Sequence, residues 1–321
     1  MALTGRLRMW SAVDDGSWGS LLLGNGSSIA VWPHFAYGSL LDQAHLSRND
    51  RRLFSGLGTS NFESVLRALH LAEVVCRQEG HDYRDARRRY RAVRRALVRG
   101  VNSVHVDWSS VGVAIRRQMR NEMLRFRTVY STNYDLLVYW AVMPDRAADF
   151  RDYFWGPGHS FDPSDTDVPA GITRVLYLHG ALHLYRVGES GTAKLTAGSR
   201  DLLSTIGATT APVPLFISEG RSQDKRAAIA RSDYLSFAND KFEADDSPLV
   251  VFGHSLAEQD DHLLPAIDQR SRRVPVSVMP GNEGAVILRK AELKERLPHA
   301  RLSFFDGTSH PLGAASMRAI P

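Results

Sequence analysis

Short apolar runs alternate with helical patterns along the chain, and several of the runs close on glycine or a small polar residue. Runs of this length that lack a polar face suit strands covered on both sides. Their alternation with amphipathic segments predicts an α/β fold, a Rossmann-like and mostly parallel sheet with helices on both faces. The predicted strands are 19–24, 128–132, 174–179, 213–218, 248–253, 274–279 and 301–305. Between Ser60 and Gly80 the spacing predicts a helix. Ser60 and Glu63 make a capping box, and Phe62, Val65, Leu66, Leu69, Ala72 and Cys76 fall on one apolar stripe, which places Cys76 among small core residues. The span 81–125 also reads as helical, so one domain over 1–321 carries a mainly helical insertion at about 60–125. The stretch 145–169, rich in Asp, Pro, Gly and aromatics, reads as a surface loop suited to a lid, and 194–214 as a second loop.

Composition narrows the class. At 321 residues, 43% hydrophobic and 23% charged, the chain can bury a substantial core and does not resemble a disordered or fibrous sequence. No apolar run approaches the roughly 20 residues of a membrane helix, and no apolar segment follows the two early arginines as a secretory signal requires, so a cytoplasmic protein without membrane contact is expected. A single cysteine, Cys76, rules out an internal disulfide and any zinc site built from several thiolates. The net charge of +5 permits anionic partners. Basic residues concentrate in one helical run, with Arg at 84, 87, 88, 89, 91, 94, 95 and 99. This run is a solvated face, a nucleic-acid contact or an acidic protein interface. Only Tyr90 interrupts it as an aromatic, which argues against stacking on single strands.

Candidate chemistry lies where predicted strands end. Gly24-Asn25-Gly26-Ser27-Ser28 follows the first strand, a position where glycines admit a phosphate to the backbone or simply shape a strand-to-helix turn. Thr132-Asn133-Tyr134-Asp135 follows the second; an asparagine amide both donates and accepts, which suits a water or a ribose hydroxyl, while Asn133 or Asp135 could instead cap a helix. Leu178-His179-Gly180 ends the third, with an imidazole fit for acid–base work near neutrality. His183, four residues on, would share a helix face with it, yet this pair has no nearby third ligand and no metal is expected. Gly253-His254-Ser255 ends a late strand and precedes the acidic residues Glu258, Asp260 and Asp261. In an open α/β sheet the carboxyl ends of the strands line the ligand crevice, so the four clusters together weigh more than any one.

In this order, GNGSS, TNYD, LHG and GHS resemble the motifs of the bacterial sirtuin-like (silent-information-regulator type) NAD-binding family over residues 20 to about 265. The stretches 24–44 and 214–240 resemble an uncharacterised bacterial subgroup of it. The resemblance implies that Asn133 is the catalytic asparagine and that His179 is a base toward a ribose hydroxyl or water. It further implies that Gly24, Asn25, Gly26 and Ser28 meet the NAD diphosphate, that Gly253 and Ser255 lie near the adenosine ribose, and that Asp135 binds ribose or caps a helix. NAD is then a substrate. The protein-deacylating branch carries a four-cysteine zinc module that this chain cannot build, and its early turn differs, so the shared step of nicotinamide–ribose cleavage is what carries over. The implied function is an NAD+ hydrolase acting as an anti-phage, abortive-infection effector, held inactive until a sensor or homo-oligomeric assembly triggers it. The alternatives are a non-catalytic nucleotide-binding module whose Arg-rich helix contacts nucleic acid or a partner ATPase, and an ADP-ribosyltransferase.

Overall fold

The computed structural model describes residues 3–36, 41–60, 62–143, 149–196, 202–207, 212, 214–217 and 222–320. Its centre is a seven-stranded parallel sheet in the order β10-β9-β8-β1-β2-β4-β3. The strands are β1 (Ser20–Leu23), β2 (Thr128–Ser131), β3 (Phe150–Arg151), β4 (Thr173–Tyr177), β8 (Leu249–Phe252), β9 (Arg273–Val278) and β10 (Arg301–Asp306). Every residue of β1, β2 and β8 is buried, as continuous apolar runs in a doubly covered sheet require. The fold is α/β and Rossmann-like. From β1 the chain builds outward through β2 on one side, then returns to lay β8 against the other side of β1. This reversal is a topological switch point, and the crevice it opens lies at the carboxyl ends of β1 and β8.

A smaller antiparallel sheet, in the order β6-β5-β7, adjoins this crevice. It is formed by β5 (Gly180–Val187), β6 (Gly191–Lys194) and β7 (Pro214–Phe216). It departs from the sequence expectation in two ways. The predicted strand 213–218 belongs here and not in the parallel sheet; residues 213 and 218 lie outside the described residues. His183 lies on β5, not on a helix with His179, because Gly180 at φ +76° turns the chain straight from β4 into the hairpin. A Cβ on Gly180 would stand 2.1 Å from the Leu215 carbonyl oxygen of β7, so glycine is what lets the two strands pair here.

Helices α1 (Asn25–Val31), α2 (Arg48–Gly56), α3 (Phe62–Gln78), α4 (Arg84–Val104) and α5 (Val113–Met123) precede β2. Helices α2 to α5 occupy the stretch between α1 and β2, with α2 ahead of residue 60. In α4, Val93, Ala96, Leu97, Gly100, Val101 and Val104 are buried at helical spacing, whereas Arg84, Arg87, Arg88, Arg91, Arg95 and Arg99 are exposed. The arginine run is therefore the outer face of an amphipathic helix. Arg89 turns inward instead, to Asp50 of α2 at 2.9 Å. The α3 stripe buries only its first half: Phe62, Val65, Leu66 and Leu69 are covered, but Ala72 is exposed and Cys76 only half-buried, so Cys76 is not a core residue. The end of α3 projects beyond the body that covers its start. The predicted helix runs from Phe62 to Gln78; residue 61 and the Glu63 side chain of the capping box lie outside the described residues.

Helices α6 (Leu137–Val142), α7 (Leu202–Gly207), α8 (Ser222–Ile229), α9 (Asp233–Glu243), α10 (Leu264–Ile267) and α11 (Glu283–Arg296) follow β2 in the chain. Ser232 caps α9 by accepting from the Leu235 amide at 3.2 Å, and Phe242 of α9 packs edge-on against Tyr130 of β2. The predicted lid is an anchored segment where it is described, from 149 to 169. Tyr153, Phe154 and Phe161 are buried, and Phe154 and Phe161 pack against Tyr234 of α9 while Tyr153 packs against Phe237. Of the predicted loop 194–214, residues 202–207 are helix α7, and residues 197–201, 208–211 and 213 lie outside the described set.

Candidate functional site

The turns after β1 and β8 meet face to face at the switch point. Gly26 donates its amide to the Gly253 carbonyl at 2.7 Å, and Gly24 donates to Phe252 at 3.0 Å. A Cβ on Gly253, at φ +69°, would lie 2.3 Å from the Ser27 nitrogen, and one on Gly24 would lie 2.5 Å from the Cα of His254. These glycines thus let two backbones touch. The amides of Gly24 and Gly26 are already bound within the protein, so the role the sequence suggests for them at a diphosphate has no free N–H from either residue.

Below this contact opens a cavity of about 870 Å³, within the size range of small-molecule and cofactor sites. Of the residues singled out from sequence, Asn25, Gly26, Asn133, Asp135, His179, Gly253 and Ser255 line it. Gly24 and Ser28 stand behind the wall. Ile29 of α1, Phe62 of α3, and Leu97, Val101 and Val104 of α4 supply an apolar part of the lining, so the helical insertion forms one wall of the cavity.

Asn133 is held from one side only. Its Nδ2 donates to the hydroxyls of Ser27 at 3.0 Å and Ser28 at 2.8 Å, which places the amide under α1. Its Oδ1 is buried and has no hydrogen-bond partner among the described residues. A buried carbonyl left open this way costs about 1–3 kcal/mol unless something else donates to it. Ser28 in turn donates to Asp135 Oδ2 at 2.5 Å, and Asp135 Oδ1 accepts the Leu137 amide at 2.8 Å. Asp135 thus ties the first amide of α6 to Ser28 of α1, each of its oxygens accepting one hydrogen bond. Leu136 donates its amide to Nε2 of His105, whose Nδ1 lies 2.8 Å from the Val106 carbonyl. Burial pushes the His105 pKa down despite the nearby Asp135 charge, consistent with a neutral ring that accepts at one nitrogen and donates at the other.

His179, at the end of β4, faces a group of titratable residues that the sequence reading did not bring together. Its Nε2 lies 2.8 Å from Nε2 of His262, with the rings stacked at 5.0 Å. Lys225 of α8, 1% exposed, donates to Asp260 Oδ1 at 2.8 Å, and His254 Nε2 stands 3.9 Å from the other Asp260 oxygen. Lys225, His254 and Asp260 line the cavity beside His179. Burial, then the Lys225 charge, hold His179 well below its ordinary pKa, and the same two causes bring His262 down to about 3. Burial alone would raise the Asp260 pKa, but Lys225, His254 and His179 outweigh it and keep the carboxylate ionised. At neutral pH both imidazoles are therefore neutral and the Lys225–Asp260 pair is charged. His179, Asp260 and His262 offer ligand atoms within 4.8 Å of one another, a spacing a metal ion could use. The Lys225 ammonium lies on the same carboxylate, 2.8 Å from Asp260 Oδ1.

His183 sits apart from this group. It is buried between Tyr139 and Tyr177, and neither ring nitrogen has a partner among the described residues. The signal that could have found Lys225 is its register: Lys225, Ala228 and Ile229 form the buried face of α8, and a lysine on an apolar stripe needs a buried counter-charge.

Together these features define an α/β protein with a ligand cavity at the switch point of a parallel sheet, walled by an amide, a neutral imidazole and a buried ion pair. The chain belongs to the family described as Domain of unknown function (DUF4917), which matches residues 21–312. No curated protein matches it.

Proposed function

We propose that this chain cleaves the nicotinamide–ribose bond of NAD+ and passes the ADP-ribosyl group to water. The observation that carries the reading is that Asn133, whose buried Oδ1 has no hydrogen-bond partner among the described residues, lines the same cavity as His179. The leaving group departs as neutral nicotinamide, so the site has to hold the ribose, tolerate positive charge growing on its C1′ and orient one water. Asn133 suits the first and last tasks because Ser27 and Ser28 fix its Nδ2, and its carbonyl oxygen is left to accept from a hydroxyl or a water. His179, neutral at physiological pH, can accept a proton. Positioned general bases typically contribute about 10²–10⁴-fold. The apolar wall from α1, α3 and α4 suits aromatic rings of the dinucleotide. We further propose that the cleavage depletes NAD+ during phage infection and that assembly of several copies controls it. The test is incubation of purified chain with NAD+ while nicotinamide and ADP-ribose are followed, with and without extract from infected bacteria. Equal release of the two products that is lost in Asn133→Ala supports the reading, and absence of turnover under both conditions refutes it.

A further inference from the structure

We propose that His262 and the Asp260–Lys225 pair are positioning residues that form a buried proton relay behind His179. The inference rests on the NAD+-cleavage reading and deepens it. Two imidazole nitrogens 2.8 Å apart share one proton, since one must donate and the other accept. Because Nε2 of His179 is committed to His262, its other nitrogen, Nδ1, is the one left to take a proton from water. His262 stands behind His179, outside the cavity lining, so a proton moved onto it leaves the reacting space.

In the step, a bond forms between the water oxygen and C1′ as the bond from C1′ to the nicotinamide nitrogen breaks. The electron pair of the breaking bond neutralises the pyridinium, and the one proton the water loses goes to His179 Nδ1. The proton on His179 Nε2 then crosses to Nε2 of His262, and His179 is neutral again. A buried imidazolium on His262 lies within 4.8 Å of Asp260 and shares that one carboxylate with Lys225, so the relay holds the proton only transiently. Before the step Lys225 balances Asp260, which keeps the resting cluster free of net charge. The groups facing the two rings are Lys225 and Arg226 from α8 and Asp260 and His254 from the turn after β8. An ion pair kept for stability alone gains little over apolar residues of the same volume, which favours a role in moving charge on this wall.

The test compares nicotinamide release against pH for the full chain, His262→Phe and Lys225→Gln. Phenylalanine keeps the ring stack and removes the proton acceptor; glutamine keeps a donor to Asp260 and removes the charge. The relay requires His262→Phe to lose about 10–100-fold in kcat with KM within about threefold of the parent. It also requires the low-pH limb of Lys225→Gln to move upward, since removing the cation relieves its opposition to protonating the rings. Histidine ¹⁵N spectra without NAD+ give a readout independent of turnover and of any folding defect in the variants: in the parent, both rings should stay neutral well below pH 6.5 and show coupled tautomers. Unchanged kcat in His262→Phe, an unmoved limb in Lys225→Gln, or two rings titrating independently near 6.5 would each overturn the relay. A parent chain that releases no nicotinamide would refute the cleavage reading instead, while the spectra still decide whether the pair is coupled.

Discussion

Replacing Asn133 by aspartate should destabilise the protein more than replacing it by alanine, although aspartate is nearly its isostere. Alanine removes two hydrogen bonds, to Ser27 and Ser28, at about 1 kcal/mol each, but it also removes a buried acceptor that lacks a partner, which returns about 1–3 kcal/mol. The net change is about −1 to +1 kcal/mol. Aspartate turns the donor into a second acceptor. Ser28 has one hydroxyl proton, already given to Asp135, and Ser27 gives its own to the Gly24 carbonyl at 2.8 Å. One carboxylate would be left buried and unpaired beside another, a loss of about 3 kcal/mol or more at pH 7. The folded protein would raise the pKa of the new carboxyl above its unfolded value. Its cost would then be present at neutral pH and shrink as pH falls toward about 4, below which the unfolded state also holds the proton. Urea unfolding of both variants at pH 7 and pH 4 measures this. An aspartate variant as stable as the alanine variant at pH 7, or a gap that does not narrow in acid, would refute the hydrogen-bond directions assigned around Asn133. Nicotinamide release should fall in both by about 100-fold or more, equivalent to about 2.7 kcal/mol of barrier.

His183→Phe removes two buried nitrogens without partners while keeping a ring between Tyr139 and Tyr177, so the unfolding midpoint at pH 7 should rise, by about 1 kcal/mol in stability; a fall would show that the ring has a bound donor or water. The same variant should be less acid-sensitive. Burial, with Lys194, depresses the folded pKa of His183, so the unfolded state binds its proton first and stability is lost as pH falls below about 6.5; a parent and variant with parallel stability curves from pH 7 to pH 4 would contradict this. Arg91→Glu with Arg95→Glu should change stability by no more than about 0.5 kcal/mol and leave NAD+ affinity within twofold, because both side chains lie on the exposed face of α4, while retention on nucleic acid or the assembly profile shifts. Unchanged retention and assembly would mark the run as a solvated face alone.

The sheet was readable because its strands are buried on both sides. A run such as Leu21-Leu22-Leu23 leaves no other use for its side chains, and the small residues that follow each run mark where the chain must turn at the crevice. Asn133 and His179 could be placed for the same reason. The turn from β4 into β5 was not readable: its signal is the φ of Gly180, set by the close approach of Leu215 of β7 from 35 residues away in sequence. Lys225, Asp260 and His262 show the same limit. Each has a bland local role, a helix residue or a polar turn, and acquires another only when α8 and the turn after β8 fold against β4. Cys76 shows the converse, since an apolar stripe along α3 does not reveal that the covering layer ends before the helix does.

The same contact that closes the switch point also aims the candidate catalytic amide. Ser27 is the residue a side chain at position 253 would strike, and its hydroxyl is one of the two acceptors that hold Asn133. Gly253→Ala should therefore do two separable things. The positive φ and a 2.3 Å approach to the Ser27 nitrogen should cost about 2 kcal/mol or more of stability. Relief of that clash requires the start of α1 to move away from β8, and Asn133 is tied to α1 through both serines. A shift of about 1 Å in a positioned group can cost roughly 100-fold in rate. Nicotinamide release measured at a temperature where the variant is fully folded should then fall far more than the loss of stability explains. Full activity in the folded variant would show that Asn133 takes its aim from its own backbone, whose N–H donates to the Ser131 hydroxyl at 3.2 Å, and not from the helix above it.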